Sequence, residues 1–451
     1  MVITFALIYS SSVMQKVDTI IHARWIIPIE PENVVYSNYS LVIDRCKILA
    51  LCPTHDVYTY YQSDNSIVCS QHALVAGFVN AHTHAAMTLM RGIADDLPLM
   101  EWLQQHIWPL EQQWLSDEFV FDGTTVAVAE MLRSGTTCFN DMYFFAPATA
   151  RVVKKYGIRA CLGITVIDFP SAWAQSSDDY IHKGLALFEE IKGETLMTMC
   201  FAPHAPYTVS DEPLHRLKAL ADEHELKIHM HIHETAFEVN AAVSEQGLRP
   251  IERLRKMGVV NESFIAVHAT QLTSDEIALF AQTGAHIVHC PESNLKLASG
   301  FCPVDACLKA GINVALGTDG AASNNDLDML GEMRTAALIG KAVAQDASAI
   351  PAMTALRMAT INGAKALGLD QKIGSLTVGK DADVIAIDLG ELETQPLFDP
   401  ISQIVYSSSR HQITDVWVAG KQLLKSRQLT TFETAELALI IEKWQKRLMG
   451  D

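Results

Sequence analysis

Ala73-Leu74-Val75-Ala76-Gly77-Phe78-Val79-Asn80-Ala81-His82-Thr83-His84 is an apolar run that ends in two histidines. A run of this length and composition reads as a buried strand. Side chains two apart on a strand share a face, so His82 and His84 project together from its end. Two converging imidazoles at a strand end are half of a metal site.

Outward from that strand, short apolar stretches alternate with amphipathic ones from Leu74 to about Ala366. Strands are expected at Leu74–His84, Thr136–Asp141, Arg159–Thr165, Met197–His204, Lys227–His233, Phe264–His268, His286–His289 and Asn313–Asp319. Helices are expected between them, at Asp117–Arg133, Ala146–Tyr156, Glu212–Glu223, Arg249–Met257 and Thr273–Gln282. Such a βα alternation over roughly 290 residues predicts an α/β fold of the (β/α)8 TIM-like barrel type. A doubly wound sheet would want a Gly-rich first turn, and no GxGxxG follows the first strand.

The flanks read differently. Val17–Val68 is rich in Val, Ile and Tyr, with turn signals at Asp44-Arg45 and Pro53-Thr54. Asp383–Asp388, Ile404–Tyr406 and Asp415–Leu424 are strand-like, the last with a turn at Ala419-Gly420. The expectation is a small β-sandwich built from both chain termini. Residues 1–73 supply one half, 74–370 the catalytic barrel, and 371–451 the other half plus a terminal helix over Thr434–Leu448.

The chain of 451 residues carries 34 Lys plus Arg against 52 Asp plus Glu, a net charge of −18 with no basic run. That balance argues against nucleic-acid polymers and anionic membrane surfaces as partners. Nine cysteines without a CxxC pair predict reduced thiols and a cytoplasmic location. No stretch approaches the roughly 20 apolar residues of a membrane span. Met1–Tyr9 is apolar but short and lacks a basic start, so it does not read as a signal peptide, and Met14 is an alternative start.

In such a barrel, chemistry gathers at the C-terminal ends of the strands. The expected strands end in His82 and His84, Asp141, Thr165, His204, His231 with His233 and Glu234, His268, His289 and Asp319. Polar groups there are costly unless paired or bound to a ligand. A bland reading stands beside each: a lone strand-end histidine is commonly a hydrogen-bonded structural residue. Asp319 could be a turn cap in Gly317-Thr318-Asp319-Gly320, and Glu101 and Glu111 could be solvated helix residues. His215, His224, His286 and His411 read as structural. Alternation places His229, His231 and His233 on one face, and spacing cannot choose among them.

Several of these segments together resemble a known family. They are Gly77–His84, His231-Ile232-His233-Glu234-Thr235, Val267-His268-Ala269, Cys290-Pro291-Glu292-Ser293-Asn294 and Gly317–Gly320. They are similar to the amidohydrolase superfamily, in the branch of the 5-methylthioadenosine/S-adenosylhomocysteine deaminases. Met87–Gly92, Glu101–Leu103, Trp108–Glu111, Ala205–Thr208 and Gly374–Asp383 extend the resemblance over most of the chain.

The resemblance implies hydrolytic deamination of an adenine nucleoside to its inosine analogue plus ammonia. It implies His82, His84, His231 and Asp319 as ligands of one Zn2+ per subunit, with Fe2+ or Mn2+ as alternatives. It implies Glu234 as proton shuttle, His268 as the group steering the attacking water, and Asp319 as its partner in that task. It implies Glu111 and His204 as substrate contacts alongside Glu234 and Asp319. Two-metal relatives carry a lysine at the end of the fourth strand. Here Cys200-Phe201-Ala202-Pro203-His204 has none, which points to a single ion. Trp102, Trp108, Phe169 and Trp173 are candidate pocket walls. The loop Asp168–Gln175 holds no basic residue, which favours a small 5′ group over an amino-acid tail. A small-molecule nucleoside partner and a homo-oligomer follow from the same resemblance. The alternatives are a guanine or cytosine deaminase, a triazine amino- or chlorohydrolase, and, more remotely, a non-catalytic scaffold. Glu111 discriminates, because a free base or triazine has no diol to bind.

Overall fold

The computed structural model describes residues 14–450. The Met1–Tyr9 stretch lies outside them. Eight parallel strands form the barrel wall: β1 (Phe78–Thr83), β2 (Thr136–Tyr143), β3 (Arg159–Val166), β4 (Met197–Pro203), β5 (Lys227–Ile232), β6 (Phe264–His268), β7 (His286–His289) and β8 (Val314–Leu316). Each pairs with the next in chain order, from β1 round to β8. The seam between β8 and β1 is closed by other bonds. Asp319 N–H donates to His82 O (3.0 Å), and Thr318 N–H donates to the Asn80 side chain (3.0 Å). Gly317 permits this approach, since a Cβ there would lie 2.7 Å from the His82 nitrogen.

The helices behind the wall obey local signals. Asp117–Arg133 begins at Ser116, whose hydroxyl accepts from Phe119 N–H, carries Asp117 and Glu118 in its first turn, and ends in Arg133. Ala146–Tyr156 stops at Gly157, whose φ of 85° lies in the left-handed region that ends helices. Asp211–His224, Pro250–Lys256 and Ser274–Thr283 follow within a residue or two of expectation.

Three expectations need correction. Leu74–His84 is two strands. Ser66–Ala76 belongs to the terminal sheet and Phe78–Thr83 opens the barrel. Gly77 N–H bonds to Asp383 O and Phe78 N–H to Gly135 O, so adjacent residues serve different sheets. Ile404–Tyr406 lies in a helix, Pro400–Tyr406, capped by Asp399, which accepts from Ile401 N–H at 2.9 Å. The Asp-Pro start outweighed the β-branched composition. Asn313–Asp319 is extended only over Val314–Leu316, and Asp319 itself has a φ of 62°.

Both termini build one hydrogen-bonded eight-stranded sheet from Thr19–Ile27, Tyr36–Asp44, Lys47–Pro53, Ser66–Ala76, Val384–Asp388, Ile413–Val418, Lys421–Lys425 and Gln428–Leu429. Its register shifts at four places, including Ala23/Trp25 and Ala386/Ile387, which lets it curve. Ile48 N–H to Lys380 O (2.9 Å) and Ala382 N–H to Cys46 O (2.8 Å) bring its outer edge back to its middle. The terminal helix, Thr434–Met449, seats Trp444 against Phe119, with its indole N–H on Asp122 (2.8 Å). None of the nine cysteines is paired. No helix among the described residues is long and apolar enough to cross a membrane.

Candidate active site

The C-terminal ends of β1, β5 and β8 bring His82, His84, His231 and Asp319 together, with one donor atom from each within 4.8 Å of all the others. His82 Nε2 lies 3.2 Å from His231 Nε2 and 3.3 Å from Asp319 Oδ1, and His84 Nε2 lies 3.2 Å from the same oxygen. Donors bound tetrahedrally at about 2.0–2.1 Å stand about 3.3 Å apart, so these spacings suit a small divalent ion.

The atoms facing away are also occupied. His82 Nδ1 meets His229 Nε2 (2.8 Å), His84 Nδ1 meets Met142 O (2.5 Å) and His231 Nδ1 meets His204 O (2.8 Å). Asp319 Oδ2 accepts from the hydroxyls of Ser293 (2.7 Å) and Ser323 (2.9 Å). Each Nε2 and one carboxylate oxygen are thereby left to converge, as a metal-binding group requires. The donor set of three nitrogens and one carboxylate fits a divalent metal, which the described residues gather nowhere else.

The donors differ in their electrostatics: burial lowers the His84 imidazole, but the hydrogen bond to Asp319 and its charge outweigh this and raise it. Burial pushes the His82 imidazole down to about 4, so it is a neutral donor near pH 7. Burial alone would raise the Asp319 carboxyl. The hydrogen bonds from His82 and His84 outweigh it and hold the group well below the usual carboxylate range. Left-handed backbone at His233 (φ 53°), His268 (φ 70°) and Asp319 (φ 62°) marks strain concentrated around this floor.

The three candidate histidines of β5 part company. His231 joins the donor group and His229 stands behind His82, its Nδ1 on the Asn140 side chain (3.2 Å). His233 leaves the strand and turns away, where its Nε2 accepts from Ile251 N–H (3.3 Å). Strand alternation fails at this residue because its backbone is no longer extended.

Above the floor lies a cavity of about 530 Å³. Glu234, His268, His204 and Glu111 line it, as do Trp102, Trp108 and Phe169. Trp173 does not line it. It packs on Phe145 instead. Glu234 is buried, which raises its carboxyl, and its Oε2 lies 3.8 Å from His268 Nε2. His268 Nδ1 meets Asn294 Oδ1 (2.8 Å), so its Nε2 faces the cavity. His204 Nδ1 meets Thr208 Oγ1 (3.1 Å), and burial pushes its imidazole down to about 3. Burial pushes Glu111 up to about 7, opposed by the hydroxyl of Tyr143, which donates to Oε1 at 2.7 Å.

Asp141 and His289 stay outside the donor group. Asp141 accepts from Ala85 N–H and the Thr149 hydroxyl, so it is a structural anchor for the turn after β1. Sequence reasoning missed Tyr143, because the second strand runs two residues past its expected end. It also gave Ser293 and Asn294 no task, although their segment stood out as a motif.

A (β/α)8 barrel whose strand ends gather three imidazoles and an aspartate at the floor of an open cavity defines a metal-dependent hydrolase. The model of the amidohydrolase family matches residues 73–423, and the chain belongs to that family. It is 51% identical over 432 residues to a 5-methylthioadenosine/S-adenosylhomocysteine deaminase of Teredinibacter turnerae, covering 96% of this chain and 98% of that one. It superposes with a TM-score of 0.96 and 50% identity on a zinc-bound adenosine deaminase from Xanthomonas campestris, covering 97% of this chain and all of the other. A zinc complex of atrazine chlorohydrolase from Arthrobacter aurescens, 21% identical, shares the fold with a TM-score of 0.88 over 94% of this chain and 99% of that one.

Proposed function

We propose that the protein removes the 6-amino group of an adenine nucleoside by hydrolysis, with one zinc ion per chain, in the cytoplasm. The observation that carries the reading is the pairing, in one cavity, of the four-donor group with a buried acid, Glu234, and a second, half-buried carboxylate, Glu111. A divalent ion held by His82, His84, His231 and Asp319 would polarise a water and lower its pKa toward about 7.

His268, set by Asn294, and Asp319 would orient that water and accept its proton. Glu234, whose carboxyl burial raises, is placed to protonate ring N1, which makes C6 electrophilic. The water oxygen bonds to C6. The proton taken from the water passes to the amino nitrogen, the C6–N bond breaks and ammonia leaves, and the C6 hydroxyl returns a proton to Glu234 to give the 6-oxo product. Glu111 accepts from the ribose hydroxyls, a task for which its two oxygens suit a vicinal diol, and His204 contacts the nucleoside.

The cavity also favours a small 5′ group. Its described lining includes Leu99, Trp102, Phe169, Pro170 and Ala172 but no lysine or arginine. The carboxylate of a homocysteine tail would be desolvated there without a counter-ion. The substrate of choice is therefore 5′-methylthioadenosine, 5′-deoxyadenosine or adenosine. Comparing kcat/KM for these with S-adenosylhomocysteine tests this, and a preference for the last would overturn it.

A further inference from the structure

The turn that aims Glu234 is held by a second carboxylate. Thr235 caps the helix Ala236–Gln246, its hydroxyl accepting from Glu238 N–H at 3.1 Å. In an ordinary capping box the glutamate three residues on reaches back to the N–H of the capping residue. The helix Ser274–Thr283 has that arrangement, with Thr273 N–H on Glu276 Oε2 at 2.8 Å. Glu238 reaches further. Its Oε1 accepts from His233 N–H (3.0 Å) and its Oε2 from Glu234 N–H (2.8 Å).

The same two residues are fixed from the other side. His233 O accepts from Thr270 N–H (3.0 Å) and Gln271 N–H (3.2 Å), and Glu234 O accepts from the Thr270 hydroxyl (2.7 Å). His233 adopts a left-handed backbone without being glycine, a conformation that needs such external support. Both Glu238 and Glu234 are buried, so an N–H left without its partner there carries a desolvation cost.

We infer that Glu238 is a positioning residue for the reaction: its carboxylate clamps the backbone on which Glu234 stands and so sets where the proton donor meets the substrate ring. The inference rests on the proposed function. A carboxylate offers two acceptors to two adjacent N–H groups. An amide offers one, and turns its own N–H against the other donor.

The test is Glu238→Gln, alone and on a Glu234→Gln background. With Glu234 present, kcat is expected to fall about 10- to 100-fold, with KM within about threefold and bound metal unchanged. With Glu234 already replaced, the same change is expected to cost less than about threefold, because Glu238 acts through Glu234. Glu238→Asp, which keeps two acceptors on a shorter arm, is expected to fall between wild type and Glu238→Gln. Amide exchange in the segment 231–236 should quicken in Glu238→Gln, and this readout is independent of turnover. Equal losses on both backgrounds, unchanged exchange, or loss of metal along with activity would overturn the clamp. If wild-type protein ignores adenine nucleosides while exchange still quickens, the clamp stands and the functional reading falls.

Discussion

The floor of the cavity and its outer wall are built by different rules. On the floor the donors stand at or just past strand ends, and their spare polar atoms are tied to backbone, serine or a second histidine. The outer wall comes from helical turns over Leu99–Trp114 and from the loop Phe169–Gln175, where Phe169 is 46% exposed. The ladder of the barrel fixes the first in place. The second is held outside the sheet, by bonds such as Ser171 N–H to Ala174 O at 2.8 Å and the Tyr180 hydroxyl to Phe169 O at 3.3 Å. On the proposed function, chemistry falls to the part anchored in the sheet and selection of the substrate to turns and a loop outside it.

The largest effect should come from the floor. His231→Ala removes one of the four donors. Metal analysis should find the ion reduced to background, and turnover should drop more than about 1000-fold. Retention of a full equivalent of metal would show that the floor is less dependent on each donor than its bonding implies.

Glu234→Gln comes next. It leaves the four donors intact and removes only the proton, so kcat should fall about 10²- to 10⁴-fold with metal content unchanged. Steady-state kinetics beside metal analysis separate this case from the first.

Glu111 stands where floor and wall meet. Glu111→Gln should raise KM for nucleosides about 10-fold while changing kcat less. The pH dependence follows from its burial. Its carboxyl is pushed up to about 7, so it is ionised above that pH and gains a proton as pH falls through it. The proton removes acceptor capacity toward the ribose, so kcat/KM should decline on the acid side of about 7, and Glu111→Gln should flatten that limb. An unchanged limb would assign it to another group.

The smallest effect should come from the wall itself. Phe169→Ala should alter kcat/KM for 5′-methylthioadenosine less than about fivefold and leave adenosine nearly untouched. A loss as large as that of Glu111→Gln would erase the contrast between wall and floor.

Much of the floor was legible in the sequence, because strand ends repeat a simple pattern. His82 and His84 could be paired from spacing alone, and the helix Ala146–Tyr156 has the bounds its periodicity predicts. Spacing could not choose His231 over His229 and His233, since the choice depends on His233 leaving the extended region. Only the family resemblance pointed to His231. The division at Gly77 was hidden for a related reason. Both strands are apolar, and the break shows only in which carbonyls their N–H groups find. Tyr143 on Glu111, and Ser293 on Asp319, are contacts between elements far apart in the chain, which no local pattern encodes.

The central claim is that this donor group and Glu234 act together on an adenine nucleoside. The most direct measurement follows the ultraviolet change from adenine to hypoxanthine nucleoside with purified protein, before chelation, after it, and after zinc is returned. The account predicts turnover of 5′-methylthioadenosine that disappears on chelation and returns with about one equivalent of zinc per chain. Protein that holds its zinc and leaves every adenine nucleoside unchanged would contradict it.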